Sequence, residues 1–175
     1  MTRALLSLGS NLGDRKAHLR AAVAALRPWL IATSRVYETP PWGDPDQPCY
    51  LNAAVLVADP DAGPDEWLAR AQGIERAAGR ERDPRRRFGP RTLDVDVIAV
   101  WRENGEAVES TDPRLTLPHP RAHLRAFVLR PWLDIDPHAR LPGHGALADL
   151  LRTPSVADDL ADLRPRPDLA LESDQ

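Results

Sequence analysis

Arg87-Phe88-Gly89-Pro90-Arg91-Thr92-Leu93-Asp94-Val95-Asp96-Val97-Ile98 carries the pattern from which the rest of this chain can be read. Its second half alternates apolar Leu93, Val95 and Val97 with Asp94 and Asp96, then continues Ile98-Ala99-Val100-Trp101, which is the period and composition of a strand. Successive strand side chains point to opposite faces, so Asp94 and Asp96 share one face and the apolar residues the other. Two carboxylates held side by side repel each other unless a cation lies between them. Upstream stand Arg80, Arg82, Arg85, Arg86, Arg87 and Arg91, interrupted by Gly79, Pro84, Gly89 and Pro90. An arginine-bearing loop that feeds a metal-type carboxylate pair suits phosphate chemistry, with guanidinium forks taking up the charge that moves during transfer. Each feature alone has a plainer reading, a solvated polar face for the aspartates and surface charge for the arginines. Their adjacency across a short Gly-Pro turn favours the phosphoryl reading.

Composition narrows the classes. A chain of 175 residues, 42% of them hydrophobic, can bury one real core, and no apolar run is long enough to cross a bilayer. Met1-Thr2-Arg3 leads straight into the strand-like Ala4-Leu5-Leu6-Ser7-Leu8 with no signal-peptide pattern, so a cytoplasmic protein is expected. The single cysteine, Cys49, excludes an internal disulfide or a thiolate zinc cluster within one chain. A net charge of −3 argues against a general nucleic-acid binder and for small-molecule substrates. Lys16 is the only lysine and is followed by Ala17, which excludes a P-loop of the Walker type.

Working outward, residues 3–8 read as a strand ending in Gly9-Ser10-Asn11-Leu12-Gly13. That turn could cradle a phosphate but fits simple turn geometry better, being short and without lysine. Asp14 is the N-cap of a helix carrying Leu19, Ala22, Val23 and Leu26, closed by Pro28. Residues 31–38 read as a second strand, followed by Thr39-Pro40-Pro41-Trp42-Gly43-Asp44-Pro45-Asp46-Gln47-Pro48, which neither helix nor strand absorbs. Tyr50 to Ala58 is a third strand with Tyr50 and Asn52 on one face, a ring and a carboxamide able to stack on and read a planar heterocycle, or else to serve only packing. Gly63-Pro64-Asp65-Glu66 starts a second helix, with Trp67, Leu68, Ala71, Ile74 and Ala78 as its buried stripe and Gly79 as its stop. Gln72 and Glu75 sit near its end, where solvated helix face is the default.

Beyond the aspartate strand, Glu103-Asn104-Gly105-Glu106 signals a type I′ hairpin, and Pro113 to Pro120 a rigid loop. Arg121 to Leu129 reads as a short helix, 146–151 as another, and the chain past about 164 as a frayed tail. Residues 1–164 are therefore expected to form one domain and 165–175 a flexible C-terminal segment. The order of elements predicts an α+β fold, the ferredoxin-like βαββαβ arrangement of an antiparallel sheet backed by helices, leaving the other face or the loops at one end for ligands.

Leu8-Gly9-Ser10-Asn11-Leu12-Gly13, Tyr37-Glu38-Thr39-Pro40-Pro41, Gln47-Pro48-x-Tyr50-Leu51-Asn52, Gly79-Arg80-x-Arg82, Phe88-Gly89-Pro90-Arg91-Thr92-Leu93-Asp94-x-Asp96 and Pro118-His119-Pro120 before Arg125-x-Phe127 stand in a fixed order. Together, over roughly residues 4–150, they resemble the 6-hydroxymethyl-7,8-dihydropterin pyrophosphokinase family of folate biosynthesis. The resemblance implies ATP-dependent diphosphate transfer to the pterin hydroxymethyl oxygen, with release of AMP. It assigns Asp94 and Asp96 as ligands of two Mg²⁺ ions. It places the pterin between Tyr50 and Phe127, with Asn52 reading its edge and Thr39, Pro40 and Trp42 around it. It puts Leu68, Gln72, Glu75, Arg82, Phe88, Val97, Arg114, Thr116, His119 and Arg125 at the ATP site, and gives Arg80 and Arg91 a part in assembling the reacting state. The implied partners are ATP and the pterin, with no nucleic acid and no membrane, and a monomer is expected. The chain departs from the family's habit at Phe88, where Trp is common, at Trp42, where Leu is common, at Pro120, and in an arginine loop one residue longer. His119 is the one candidate general base on chemistry, although the resemblance places it with the phosphates. Two other readings stay open, an RNA-binding module of the same fold and a metal-dependent nucleotidyltransferase acting on another substrate.

Overall fold

A computed structural model describes residues 1–40, 46, 48–79 and 92–171. Its main sheet is built from β1 (Thr2–Ser10), β2 (Leu30–Thr33), β3 (Tyr37–Thr39), β4 (Tyr50–Asp59) and β5 (Asp94–Arg102), joined by α1 (Arg15–Leu26) and α2 (Pro64–Ala77). β1 lies between β4 and β5, and β2 and β3 both pair with the outer side of β4. All of these pairings are antiparallel, which is the expected ferredoxin-like arrangement.

Local chemistry sets several element ends. The Asp14 carboxylate accepts the Ala17 N–H at 3.1 Å and starts α1. Pro28 falls in a single 3-10 turn, Arg27–Trp29, that closes it. Glu66 reaches back to the Gly63 N–H at 3.0 Å at the head of α2, and Gly79 ends that helix with φ of +77°. Trp67, on α2, is fully buried; its indole N–H donates to Thr2 Oγ1 at 2.8 Å, and Thr2 in turn donates to the Ala62 carbonyl at 2.7 Å.

The expected single strand over 31–38 is two strands. Thr33 faces Val55 and Tyr37 faces Asn52, so four steps on one side meet three on the other, and the extra residue breaks the ladder. Ser34 fills the break: its hydroxyl accepts the Ala54 N–H at 2.8 Å and donates to the Arg35 carbonyl at 2.7 Å. A bulge also falls at Ile98 in β5, where Leu6 pairs with Val97 and Leu5 with Ala99. It puts both Ile98 and Ala99 on the face opposite Val97 and returns Val100 to that of Val97. The β5 turn is not type I′, because no non-glycine residue described has positive φ and Asn104 would need it. Gly105 alone does so, at +85°, and its N–H bonds to Arg102 O at 2.9 Å, which fits a type I turn followed by a left-handed glycine.

Past the hairpin, β6 (Ser110–Asp112) and β7 (Leu115–Leu117) form a small ladder, with β7 inside the stretch Pro113 to Pro120 expected to be loop. The helix expected over 121–129 is a 3-10 turn, Ala122–Leu124, and then α3 (Ala126–Ile135), because Arg125 is extended at φ −116°, ψ 99°. There follow β8 (Arg140–Leu141), β9 (Gly145–Ala146), α4 (Leu147–Leu150), α5 (Pro154–Ala161) and β10 (Arg164–Pro165). The segment after 164 is not frayed through residue 171. β10 pairs with β3, the Arg166 N–H donates to Val36 O at 2.8 Å, Arg166 bridges Glu38 (2.9 Å) and Asp168 (2.8 Å), and Arg20 holds Ala170 O at 2.9 Å. Leu169 and Leu171 pack onto the core, which composition dominated by Pro and Asp conceals.

Helices cover both faces of the sheet. Leu19, Val23, Leu26, Trp67 and Ala71 of α1 and α2 pack on Leu6, Leu8, Leu51, Val55, Val95 and Val97. Leu129 and Trp132 of α3 and Val156 of α5 pack on Leu5, Ala54 and Ile98. This second layer covers only part of its face and leaves the ends of β1, β4 and β5 open there. Among the described residues no helix is long and apolar enough to cross a membrane.

Candidate active site

The uncovered patch has a floor of small residues. Gly9 of β1 stands in register with Asn52 of β4 on one side and Asp94 of β5 on the other; Ser7 faces Asp96. A Cβ on Gly9 would lie 3.2 Å from Asn52 Oδ1 and 3.6 Å from the Tyr50 ring, so the missing side chain is what lets the carboxamide and the ring occupy this place. We expect Gly9→Ala to weaken binding of a planar ligand about tenfold, the scale of a small overpacking penalty, while a thermal melt shows little change. Unaltered ligand affinity by calorimetry would contradict this account of the floor.

A cavity of about 400 Å³ rises over that floor, within the range of small-molecule sites. It brings together Thr39, Pro40, Tyr50, Asn52, Asp94, Asp96, His119, Arg125 and Phe127 from among the expected residues. Asn52 is buried and donates from Nδ2 to Thr39 Oγ1 at 2.8 Å, which leaves its carbonyl oxygen and second N–H to read a ligand edge. Phe127 opens the first turn of α3 with the Arg125 guanidinium 5.5 Å from its ring centre. Asp94 and Asp96 are half-buried on the cavity face, and Leu93, Val95 and Val97 lie in the core behind them, as the alternation required.

The carboxylate pair passes a test of fit for Mg²⁺. Its donors are hard oxygens, and among the described residues no group of three or more His, Cys, Asp or Glu side chains is arranged to hold a metal. A site of one or two carboxylates, completed by water and phosphate oxygens, is what Mg²⁺ prefers.

His119 is held on both sides. Its backbone N–H donates to Ile98 O at 2.8 Å, and its Nδ1 accepts the Arg121 N–H at 3.2 Å, which leaves the ring proton on Nε2. Burial, then the charges of Arg125 and Arg121, push its pKa down to about 4. At neutral pH it is an uncharged donor and not a base. Because the unfolded chain takes up this proton near 6.5 and the folded one near 4, stability is constant above the first value and falls as pH drops through that window, by on the order of 3 kcal/mol. Melts at pH 7 and pH 4.5 are expected to show a smaller acid loss for His119→Asn than for the parent chain; equal losses would contradict the assignment.

The other expected residues lie elsewhere. Glu75 is buried and accepts the Val95 N–H at 3.1 Å, bracing the strand that carries the aspartates. Leu68 packs half-buried on the core, Val97 faces the α1 and α2 layer, and Gln72 is exposed on α2. Arg114, in the turn between β6 and β7, pairs with Asp112 at 3.0 Å, and Thr116 of β7 donates to Asp112 O at 3.1 Å. Trp42, Arg80, Arg82, Phe88 and Arg91 lie outside the described residues, as do Arg85, Arg86 and Arg87. Sequence reasoning missed Arg121, Asp159, Asp162 and Leu163, which also line the cavity. It also missed Ser10, whose buried hydroxyl donates to Thr92 O and so ties the first turn to the chain entering β5.

The model of the family described as 7,8-dihydro-6-hydroxymethylpterin-pyrophosphokinase (HPPK) matches residues 5–137. The chain is 48% identical to the 2-amino-4-hydroxy-6-hydroxymethyldihydropteridine pyrophosphokinase of Mycobacterium tuberculosis (strain ATCC 25618 / H37Rv) over 178 residues, covering 97% of this chain and 94% of that one. It is 43% identical to the enzyme of the same name from Bacillus subtilis (strain 168) over 136 residues, 75% of this chain and 77% of that one. Among solved structures, wild-type Plasmodium falciparum HPPK-DHPS superposes with a TM-score of 0.60 at 14% identity, over 85% of this chain and 44% of that chain, a likeness of fold alone. This chain thus spans less than half of that longer protein. With most of its length inside the family model and relatives this similar along nearly its whole extent, the chain belongs to the 7,8-dihydro-6-hydroxymethylpterin-pyrophosphokinase family.

Proposed function

We propose that this chain moves a diphosphate from ATP to the hydroxymethyl oxygen of 6-hydroxymethyl-7,8-dihydropterin, leaving AMP. The observation that carries the reading is one cavity in which a ring-and-carboxamide wall adjoins two carboxylates on a single strand face. In this reading the pterin lies between Tyr50 and Phe127, with Asn52, fixed by Thr39, hydrogen-bonded to its edge. Asp94 and Asp96 hold Mg²⁺, two ions in our reading, on the cavity face. When bound, Mg²⁺ neutralises the triphosphate and polarises its phosphorus–oxygen bonds.

The chain's own groups do the rest. The pterin oxygen forms a bond to the β-phosphorus, the bond from that phosphorus to the oxygen bridging to the α-phosphate breaks, and the hydroxyl proton passes to water. His119 offers Nε2–H to a phosphate oxygen, and Arg121 and Arg125 lend positive charge to the same end of the cavity. Arg80 and Arg91 are proposed to bring further charge to the moving group as the site closes, with Arg82 and Phe88 on the nucleotide and Trp42 beside the pterin. Leu68, Gln72, Glu75, Val97, Arg114 and Thr116 are proposed to serve the nucleotide side, reached from α2, β5 and the β6–β7 ladder.

Incubation of the chain with ATP, Mg²⁺ and the pterin tests the reading directly. Diphosphorylated pterin and AMP in equal amounts are expected by mass spectrometry. A nucleotidylated pterin with free diphosphate, or no dependence on Mg²⁺, would overturn it.

A further inference from the structure

We propose that Tyr37 and Asp134 are positioning residues that set the width of the slot receiving the pterin ring. This rests on the reading of the cavity given above. Tyr37 and Thr39 are two positions apart on β3 and so project from the same face. Phe127 and Asp134 are seven apart on α3, two helical turns, and so lie along one side of it about 10 Å from each other. One end of the β3–α3 interface is therefore closed by Tyr37 against Asp134, and the other end carries Thr39 and Phe127 into the cavity.

The closed end is tightly made. Tyr37, 2% exposed, donates its hydroxyl hydrogen to Asp134 Oδ2 at 2.7 Å. Arg35 donates to the Tyr37 oxygen at 2.9 Å and to Asp134 Oδ1 at 3.2 Å, and Arg130, one turn back on α3, reaches the same Oδ1 at 3.2 Å. A half-shielded carboxylate fed by three donors is a strong, directional contact. Burial, then the bond to Asp134, raise the pKa of the phenol, so it remains an O–H donor through the working pH range. A helix and a strand share no backbone ladder, so a side-chain bond of this kind fixes how far α3 stands from a three-residue strand. β3 is paired to β4 with Thr39 opposite Tyr50, so that distance also sets the gap between the Tyr50 ring and Phe127 that a planar ring enters, with Asn52 at its edge held by Thr39. A shift of a few tenths of an ångström there loosens the grip on the acceptor and leaves the carboxylate end, built on β5, where it was.

Tyr37→Phe removes only the hydroxyl and leaves the ring in the core and both arginines on Asp134. Steady-state kinetics on the full-length chain are expected to show KM for the pterin raised about tenfold, with KM for ATP and kcat within twofold of the parent. Asp134→Asn, which keeps an acceptor at the same place, is expected to restore most of the loss seen in Asp134→Ala. A merely structural role predicts a lower Tm with both KM values unmoved, and that result in Tyr37→Phe overturns the proposal even where Asp134→Ala does not fold. Phe127→Ala separates the two levels of inference: an unmoved pterin KM there refutes the pterin reading of the cavity, whereas a raised one beside a normal Tyr37→Phe refutes the clamp alone.

Discussion

Asp96→Ala is expected to lower AMP release on the order of a thousandfold, the loss typical of removing a group that stabilises charge in the transition state, while the chain still folds. Asp96 is half-buried on the cavity face of β5, opposite Ser7, and contributes nothing to the apolar layer formed behind it by Val95 and Val97. Its removal takes away one of two adjacent negative charges, so the sheet loses some repulsion along with the ligand. The check is AMP production titrated with Mg²⁺ beside a circular-dichroism melt. Turnover within tenfold of the parent would end the metal-ligand assignment.

Trp67→Ala has the largest expected cost to stability, about 4 kcal/mol, the scale of truncating a fully buried large aromatic. The indole is 0% exposed and meets Trp29 edge-on with ring centres 6.1 Å apart. Arg70 lies over both rings, 3.8 Å from the Trp29 centre and 4.8 Å from the Trp67 centre, and is itself held by Asp59 at 2.7 Å. The substitution empties that volume, strips Thr2 Oγ1 of its donor and leaves the arginine with one ring instead of two. A fall in Tm of roughly 10 °C is expected for a chain of this size, with kcat at low temperature unchanged because Trp67 lies on the face away from the cavity. A shift under 3 °C would show that the core refills the space.

Much of the framework was legible because neighbouring residues decide it. Asp14 before an apolar period of 3.6, Gly63-Pro64-Asp65-Glu66 before Trp67, and the alternation from Leu93 to Val97 each fix an element from within a few residues. The strand split at Ser34 was hidden because the register of β4, not local composition, places the extra residue. α3 begins later than its apolar residues indicated, since Arg125 turns outward from helix to reach the cavity. His119 was read as a possible base, and only its contact with the Arg121 amide fixes the proton on the nitrogen that makes it a donor. The residues of the cavity that came from motif reading sit on β3 or directly after it, on β4 and β5, in the turn after β7 and at the start of α3. Asp159, Asp162 and Leu163 come from a region outside the family match, where nothing periodic announces them.

The docked end of the chain also bears on how molecules meet each other. β10 occupies the outer side of β3, and its Pro165 has no amide hydrogen to offer a further strand. At the opposite rim, Val95 N–H is held by Glu75, Ile98 O by the His119 amide, Val100 O by the Val108 amide and Arg102 N–H by Glu106 O. Among the described residues, the outer sides of β3 and β5 thus have these backbone groups engaged and closed to a second copy. Crowded solutions of this chain should therefore resist fibrillar self-association, and cutting it back to residue 163 would uncover the template that the intact chain keeps covered.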